Sequence, residues 1–135
     1  MNLMSVRIIT SKVDELINFY EKLTGVVANR YTPDFAEIKT RKATLAIGSV
    51  RTLQFFGGES VAQPACNRSV IVEFMVEDVQ QRFDELSELL QGEHLVQPPT
   101  LMPWGNKSLL LRDPDGNLVN LFTPVAAEAI ERFNS

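Results

Sequence analysis

The chain has 135 residues, 44% of them hydrophobic, which suits one compact domain with a real core. Its formal net charge is −4 and its Lys and Arg residues are scattered, so nucleic acid and anionic membranes find no electrostatic footing. No apolar stretch approaches the roughly 20 residues needed to span a bilayer. The single cysteine, Cys66, excludes an intramolecular disulfide and suits a reducing compartment. The opening residues, Met1 to Arg7, lack the shape of a secretory signal, so the expected location is cytoplasmic.

Residues 5–10 (SVRIIT) are rich in β-branched side chains and predict a strand. Val13, Leu16, Ile17, Tyr20 and Leu23 then recur at helical spacing and predict an amphipathic helix. Ser11 is the expected cap of its first turn, and Gly25 its left-handed stop. Three strands are expected to follow, the last placed at residues 51–56 (RTLQFF). Residues 57–68 read as a surface linker by composition. Residues 70–76 (VIVEFMV) predict another strand, and Val79, Phe83, Leu86 and Leu90 a second helix ending near Gly92. Asp113-Pro114-Asp115-Gly116-Asn117 is a strong turn signal before a last strand at 118–122. Residues 126–133 predict a short terminal helix.

An offset of 66 residues lays Thr10 on Val76, Val13 on Val79 and Leu23 on Leu89. The same offset lays Gln54 on Asn120 and Phe56 on Phe122. Each half therefore reads strand, helix, then three strands. The expected layout is a first module over about 1–57, a linker over about 58–68, a second module over about 69–124, and a helix over about 125–135.

The words inside the repeat are more specific. Phe19-Tyr20-Glu21-Lys22-Leu23-Thr24-Gly25 resembles the FY-x-x-L-x-G helix end of vicinal-oxygen-chelate proteins, the glyoxalase/bleomycin-resistance/dioxygenase superfamily. Val76-Glu77-Asp78-Val79 resembles that family's second helix entry. Pro103-Trp104-Gly105, followed by Arg112-Asp113-Pro114-Asp115-Gly116-Asn117, is similar to its PWG…RDPDGN tail. The resemblance implies an α+β fold of two βαβββ modules whose curved mixed sheets surround a cleft, commonly as a homodimer. Family members include metal-dependent enzymes and metal-free antibiotic-binding proteins, so function rests on the site itself.

The resemblance also implies four metal-ligand positions, which by this register are Ser5, Gln54, Ile71 and Asn120. Ile71 cannot coordinate, Ser5 is a poor ligand, and Gln54 and Asn120 offer only neutral amide oxygens, where a transition-metal site needs at least about three imidazole, thiolate or carboxylate groups. The only histidine, His94, follows the second helix and reads as a surface residue. No metal and no cofactor are expected. No Ser-His-Asp set or Gly-rich phosphate loop is present, so no catalytic residue is assigned.

Strand alternation says what else faces the cleft. Val6 and Ile8 are expected against the helix, which puts Ser5, Arg7 and Ile9 inward. Val70, Val72, Phe74 and Val76 likewise leave Ile71, Glu73 and Met75 inward. Arg7 and Glu73 either pair across the modules or reach solvent at the mouth. Phe56 and Phe122 serve as an apolar floor or as core, and Trp104 either stacks on a flat ligand or fills a core or dimer contact. The expected ligand-binding set is Arg7, Gln54, Phe56, Glu73, Met75, Trp104, Asn120 and Phe122. The expected function is metal-free binding of a small molecule. The alternative is a metal-independent or divergently liganded lyase, isomerase or hydrolase with Glu73 as base or acid and Arg7 as anion clamp.

Overall fold

The computed structural model describes residues 1–134, the side chain of Glu93 excepted. The chain divides into two compact units, Met1–Asn67 and Arg68–Ser135, each built on one four-stranded sheet.

In the first unit, β1 (Ser5–Thr10) leads into α1 (Val13–Thr24), then β2 (Asn29–Thr32), β3 (Phe35–Lys39) and β4 (Thr44–Ser49). The strand order is β1-β4-β3-β2, with β1 parallel to β4 and the remaining neighbours antiparallel. The stripe of α1 buries Leu16, Ile17, Tyr20 and Leu23 on the helix side of the sheet. There the register partners Ala36 and Ile47, and Ile38 and Leu45, are also buried. Each fully buried aliphatic side chain contributes about 1.5–3 kcal/mol. Gly25 stops α1 in the left-handed region (φ 73°), its N–H bonded to Glu21 O at 2.8 Å. Ser11 does not cap the helix. Its start carries no side-chain cap, and the N–H of Lys12 donates instead to Thr10 Oγ1 at 2.9 Å.

The strand expected at 51–56 lies earlier, at 44–49. Residues Val50–Phe56 instead form a 3-10 helical segment, because Ser49 Oγ accepts the N–H of Arg51 (3.1 Å) and Thr52 Oγ1 donates to Ser49 O (2.7 Å). These two bonds turn the chain out of the sheet at Ser49.

The second unit repeats the plan: β5 (Ile71–Met75), α2 (Val79–Glu85), β6 (Leu95–Leu101), β7 (Asn106–Arg112) and β8 (Leu118–Pro124), in the order β5-β8-β7-β6. Asp78 caps α2 by accepting the N–H of Gln81 at 3.1 Å. The helix is shorter than its apolar spacing predicts. The backbone leaves the helical region at Leu86 (φ −94°, ψ 16°), and Leu86 and Leu90 reach the core from successive turns. Pro98 and Pro99 fall on β6, an edge strand whose pairing shifts register twice, where missing N–H groups are tolerated. The Asp113–Asn117 segment is a turn held by its own side chain, with Asp113 Oδ1 accepting the N–H groups of Asp115 and Asn117 at 2.9 Å each. Half-buried His94 lies with Nδ1 2.8 Å from Arg112 O. A carbonyl only accepts, so Nδ1 carries the proton and the ring ties the turn before β6 to the end of β7.

The two units keep the 66-residue offset at their first strands and helix starts, Ser5 with Ile71 and Val13 with Val79. It fails at their last strands. Ser5 pairs with Thr44 and Ile71 with Leu118, an offset of 74, because β6 and β7 have seven residues each against four and five in β2 and β3, and the turns after them are longer too. The ladder counterpart of Asn120 is therefore Ala46, not Gln54, and that of Phe122 is Gly48, not Phe56.

A terminal helix, α3 (Ala127–Phe133), follows β8. Gly105 (φ 94°) lies against it. A Cβ there would sit 2.7 Å from Ala126 Cβ and 3.1 Å from Ala129 Cβ, and Gly105 O accepts the N–H groups of Val125 (2.9 Å) and Ala126 (3.0 Å). Gly105→Ala should therefore combine left-handed strain with a clash and cost about 1–3 kcal/mol. Chemical denaturation should register that loss, and hydrogen exchange should show it concentrated in 126–133. A variant as stable and as protected as the native chain would contradict this packing.

Candidate functional site

In each unit the helix after the first strand covers one sheet face, and register partners project from the same face. The opposite, open face carries exposed side chains on its first strand and buried ones on its central strands. On the open face of the second unit, β5 presents Ile71, Glu73 and Met75, all exposed, while Val72 and Phe74 on the helix side are half-buried. The ladder sets Asn120 beside Glu73 and Phe122 beside Met75. On β7, Leu110 then lies beside Asn120, Ser108 beside Phe122 and Asn106 beside Pro124.

Asn120 is only 8% exposed. Its Nδ2 donates to Glu73 Oε2 at 2.9 Å, which fixes the amide orientation and turns Oδ1 away from the carboxylate. That Oδ1 has no hydrogen-bond partner among the described residues, and neither do buried Ser108 Oγ and Asn106 Oδ1 on the same face. Phe122 is buried beneath α3, with its ring 5.1 Å from that of Phe133. Beside this contact is a hollow of about 360 Å³ whose walls include Met75, Glu77, Thr123, Ile130 and Phe133. A larger hollow of about 780 Å³ lies around the start of α2 and is not lined by Asn120, and its Arg82 is already bonded to Glu85 at 2.8 Å. The chemistry of the second unit is thus a carboxylate and unpaired acceptor oxygens beside an apolar wall. Trp104 is exposed in the turn between β6 and β7.

On the open face of the first unit, β1 presents Arg7 and Ile9, β4 presents Ala46 and Gly48, and β3 presents Phe35, Glu37 and Lys39. The Arg7 guanidinium carbon lies 4.6 Å from the Phe35 ring centroid and 5.3 Å from that of Phe56. Phe56 reaches this position from the 3-10 segment rather than from a strand, and Gln54 on that segment is exposed. Tyr31 adds a third ring, 6.0 Å from Phe35. Lys39 Nζ is 3.7 Å from Glu37 Oε1. Its pKa is raised, first by a hydrogen bond with the Tyr31 hydroxyl, then by the charges of Tyr31 and Glu37.

The metal positions implied by the family pattern can now be placed by ladder register. The first unit offers Ser5 and Ala46, and the second Ile71 and Asn120. Replacing Gln54 by Ala46 removes another donor. One hydroxyl and one amide oxygen do not make a transition-metal site. Among the described residues, no three His, Cys, Asp or Glu side chains gather closely enough to hold a metal ion. The residues present do not fit the group.

Phe35, Gly48 and Ser108 escape a reading of the sequence alone, since their relation to Arg7 and Asn120 depends on hairpin registers. The apolar run Leu45-Ala46-Ile47, bounded by Ser49, was the signal that locates β4.

The Asn120–Glu73 contact makes a direct prediction. Asn120→Asp places a second carboxylate against Glu73, and the pair repels when both are ionised. The variant should be less stable than the native chain at pH 7. Repulsion raises one carboxyl of the variant pair, so the deficit should shrink as the pH falls from above toward the ordinary carboxylate range near about 4. Melting curves across this range would check it, and a deficit independent of pH would contradict the contact.

A family model described as the Glyoxalase/Bleomycin resistance protein/Dioxygenase superfamily matches residues 2–121. Among solved structures, the chain is similar to a glyoxalase/bleomycin resistance protein/dioxygenase family enzyme from Burkholderia phytofirmans PsJN. The TM-score is 0.78 at 18% identity, over 93% of this chain and 100% of that one. A glyoxalase-related enzyme from Fulvimarina pelagi gives 0.75 at 20% identity, over 94% of each chain. A glyoxalase/bleomycin resistance protein/dioxygenase from Nocardioides gives 0.74 at 18% identity, over 94% of this chain and 85% of that one. At these identities the likeness speaks for the fold alone. Comparison with curated proteins gave no match. With two βαβββ units in register with the matched pattern, the chain belongs to the Glyoxalase/Bleomycin resistance protein/Dioxygenase superfamily.

Proposed function

We propose that this member of the superfamily binds a small, partly apolar molecule without a metal, and that the ligand carries hydrogen-bond donors, favourably a cation. The observation that carries the reading is the buried, unpartnered Oδ1 of Asn120, whose amide is oriented by Glu73. A buried acceptor without a donor costs about 1–3 kcal/mol, which a ligand N–H or O–H recovers on binding. The adjacent Glu73 carboxylate adds a charge-assisted bond to an ammonium or guanidinium. Met75 and Phe122 supply the apolar surface such sites need. Trp104 completes the proposed set in the second unit, whereas Arg7, Phe56 and Gln54 belong to the first unit and not to this donor-ligand set. A cationic drug is one ligand of this chemistry, which would place the chain with the resistance proteins of its family rather than its enzymes.

The reading includes a homodimer. β2 and β6 are sheet edges, and Val96, Leu101 and Trp104 expose apolar surface along β6 and the turn after it. A second copy would cover such an edge. Light scattering should give the dimer mass at micromolar concentration, and the monomer mass alone would contradict it.

The binding claim is tested with 2-naphthylmethylammonium as a probe, followed by calorimetry and by quenching of Trp104, the chain's one tryptophan. The probe should be recovered unchanged. Glu73→Gln should weaken binding about tenfold, and Asn120→Leu by a similar factor, each about 1.4 kcal/mol. Metal analysis of the purified protein should find far less than one transition-metal ion per chain. Undiminished binding to both variants would contradict the site, and about one metal per chain, lost on substitution of Asn120, would contradict the metal-free reading.

A further inference from the structure

We infer that the open face of the first unit is a binding site for an aromatic carboxylate, with Arg7 as the anion-binding group and Phe35 and Phe56 as its walls. The site rests on the reading of the chain as a small-molecule binder but uses different atoms from the Glu73–Asn120 site.

The glycine at position 48 leaves room beside Arg7, where an added Cβ would touch the Arg7 stem and press on Thr52 Oγ1. A Cβ there would stand 3.4 Å from Arg7 Cδ, 3.7 Å from Ile9 Cδ1 and 3.1 Å from Thr52 Oγ1. Without it, Arg7 runs across β4 toward Phe35, the register partner of Gly48, and brings its guanidinium against two rings. Cation–π contact uses the charge of the guanidinium and does not occupy its N–H donors with a hydrogen-bond acceptor.

No such partner is present among the described residues. The carboxylates near Arg7 on this unit are already engaged. Asp34 pairs with Arg51 at 3.2 Å, and Glu37 lies 3.7 Å from Lys39. Among the described residues the Arg7 side chain makes no ion pair or hydrogen bond, unlike that of Arg30 with Asp14 at 2.8 Å or Arg112 with Gly116 O at 2.9 Å. A flat cation with free forked donors, set among aromatic rings, matches a carboxylate taken in two parallel bonds. Phe56 is 59% exposed and Tyr31 55%, so ring surface remains for an aromatic body to stack on. One unengaged guanidinium matches a single negative charge. A phosphate dianion asks for a second cation, and Lys39 is committed to Glu37 and Tyr31. A chain of net charge −4 offers no general attraction to anions, so binding has to come from this local group.

The test pairs 2-naphthoate with 2-naphthylmethylammonium, which share a ring system and differ in charge, against the full chain by calorimetry. Arg7→Gln should weaken 2-naphthoate at least about tenfold, and Arg7→Lys, which keeps the charge but loses the fork, by a smaller factor. Phe56→Leu should weaken it severalfold. The amine should bind the Arg7 variants as it binds the native chain, which also reports that they are folded. Failure of 2-naphthoate to bind the native protein, or equal binding to Arg7→Gln, would overturn the proposal. Loss of the amine site with Glu73→Gln while 2-naphthoate still responds to Arg7 leaves this site standing. Amine binding that ignores Glu73 overturns the donor-ligand reading instead.

Discussion

Parallel pairing of the first and last strands of each unit, β1 with β4 and β5 with β8, is the constraint from which the chemistry follows. Parallel neighbours cannot be joined by a tight hairpin, so the chain between them must cross over the sheet. Here that crossover contains a helix, which buries one face under α1 or α2 and leaves the opposite face for polar work. The register of the ladder then decides which side chains meet. Glu73 lies beside Asn120 only because Ile71 pairs with Leu118, and a slip of β5 by one residue would turn Glu73 to the helix side, away from Asn120.

The same architecture gives the two units opposite characters. In the first, Ala46 and Gly48 keep the floor of the open face low, and Arg7 lies across it onto aromatic rings. In the second, the matching positions hold Asn120 and Phe122, which raise a carboxylate–amide pair and an apolar wall that α3 partly covers. The strand positions from which the family pattern draws its metal ligands carry Ser5, Ala46, Ile71 and Asn120. On the proposed reading these faces act through hydrogen bonding and stacking rather than through a metal.

Much of the fold was legible because its signals are local. The stripe of α1, the left-handed Gly25, the Asp113–Asn117 turn and the alternation along β5 each depend on residues within a few positions of one another. The last strand of the first unit was not. Leu53-Gln54-Phe55-Phe56 has strand composition and matches the second half at a fixed offset. Ser49 and Thr52 nevertheless bond the backbone into a 3-10 turn, and the hairpins of the two units differ by eight residues in total offset. A single offset cannot carry a repeat across loops of unequal length. The pairing of Arg7 with Phe35 was beyond reach for the same reason, since it depends on the β3–β4 register.

The central claim is that Asn120 offers its oxygen to a ligand donor rather than to a metal, and its side-chain amide reports on both. Nuclear magnetic resonance of the labelled protein, titrated separately with Mn²⁺ and with 2-naphthylmethylammonium, would separate the two directly. The account predicts that the amine shifts the Asn120 side-chain signals to saturation, whereas one equivalent of Mn²⁺ leaves Asn120 and Ile71 no more broadened than the rest of the chain. Selective broadening of those two residues by stoichiometric Mn²⁺, with no response to the amine, would contradict it.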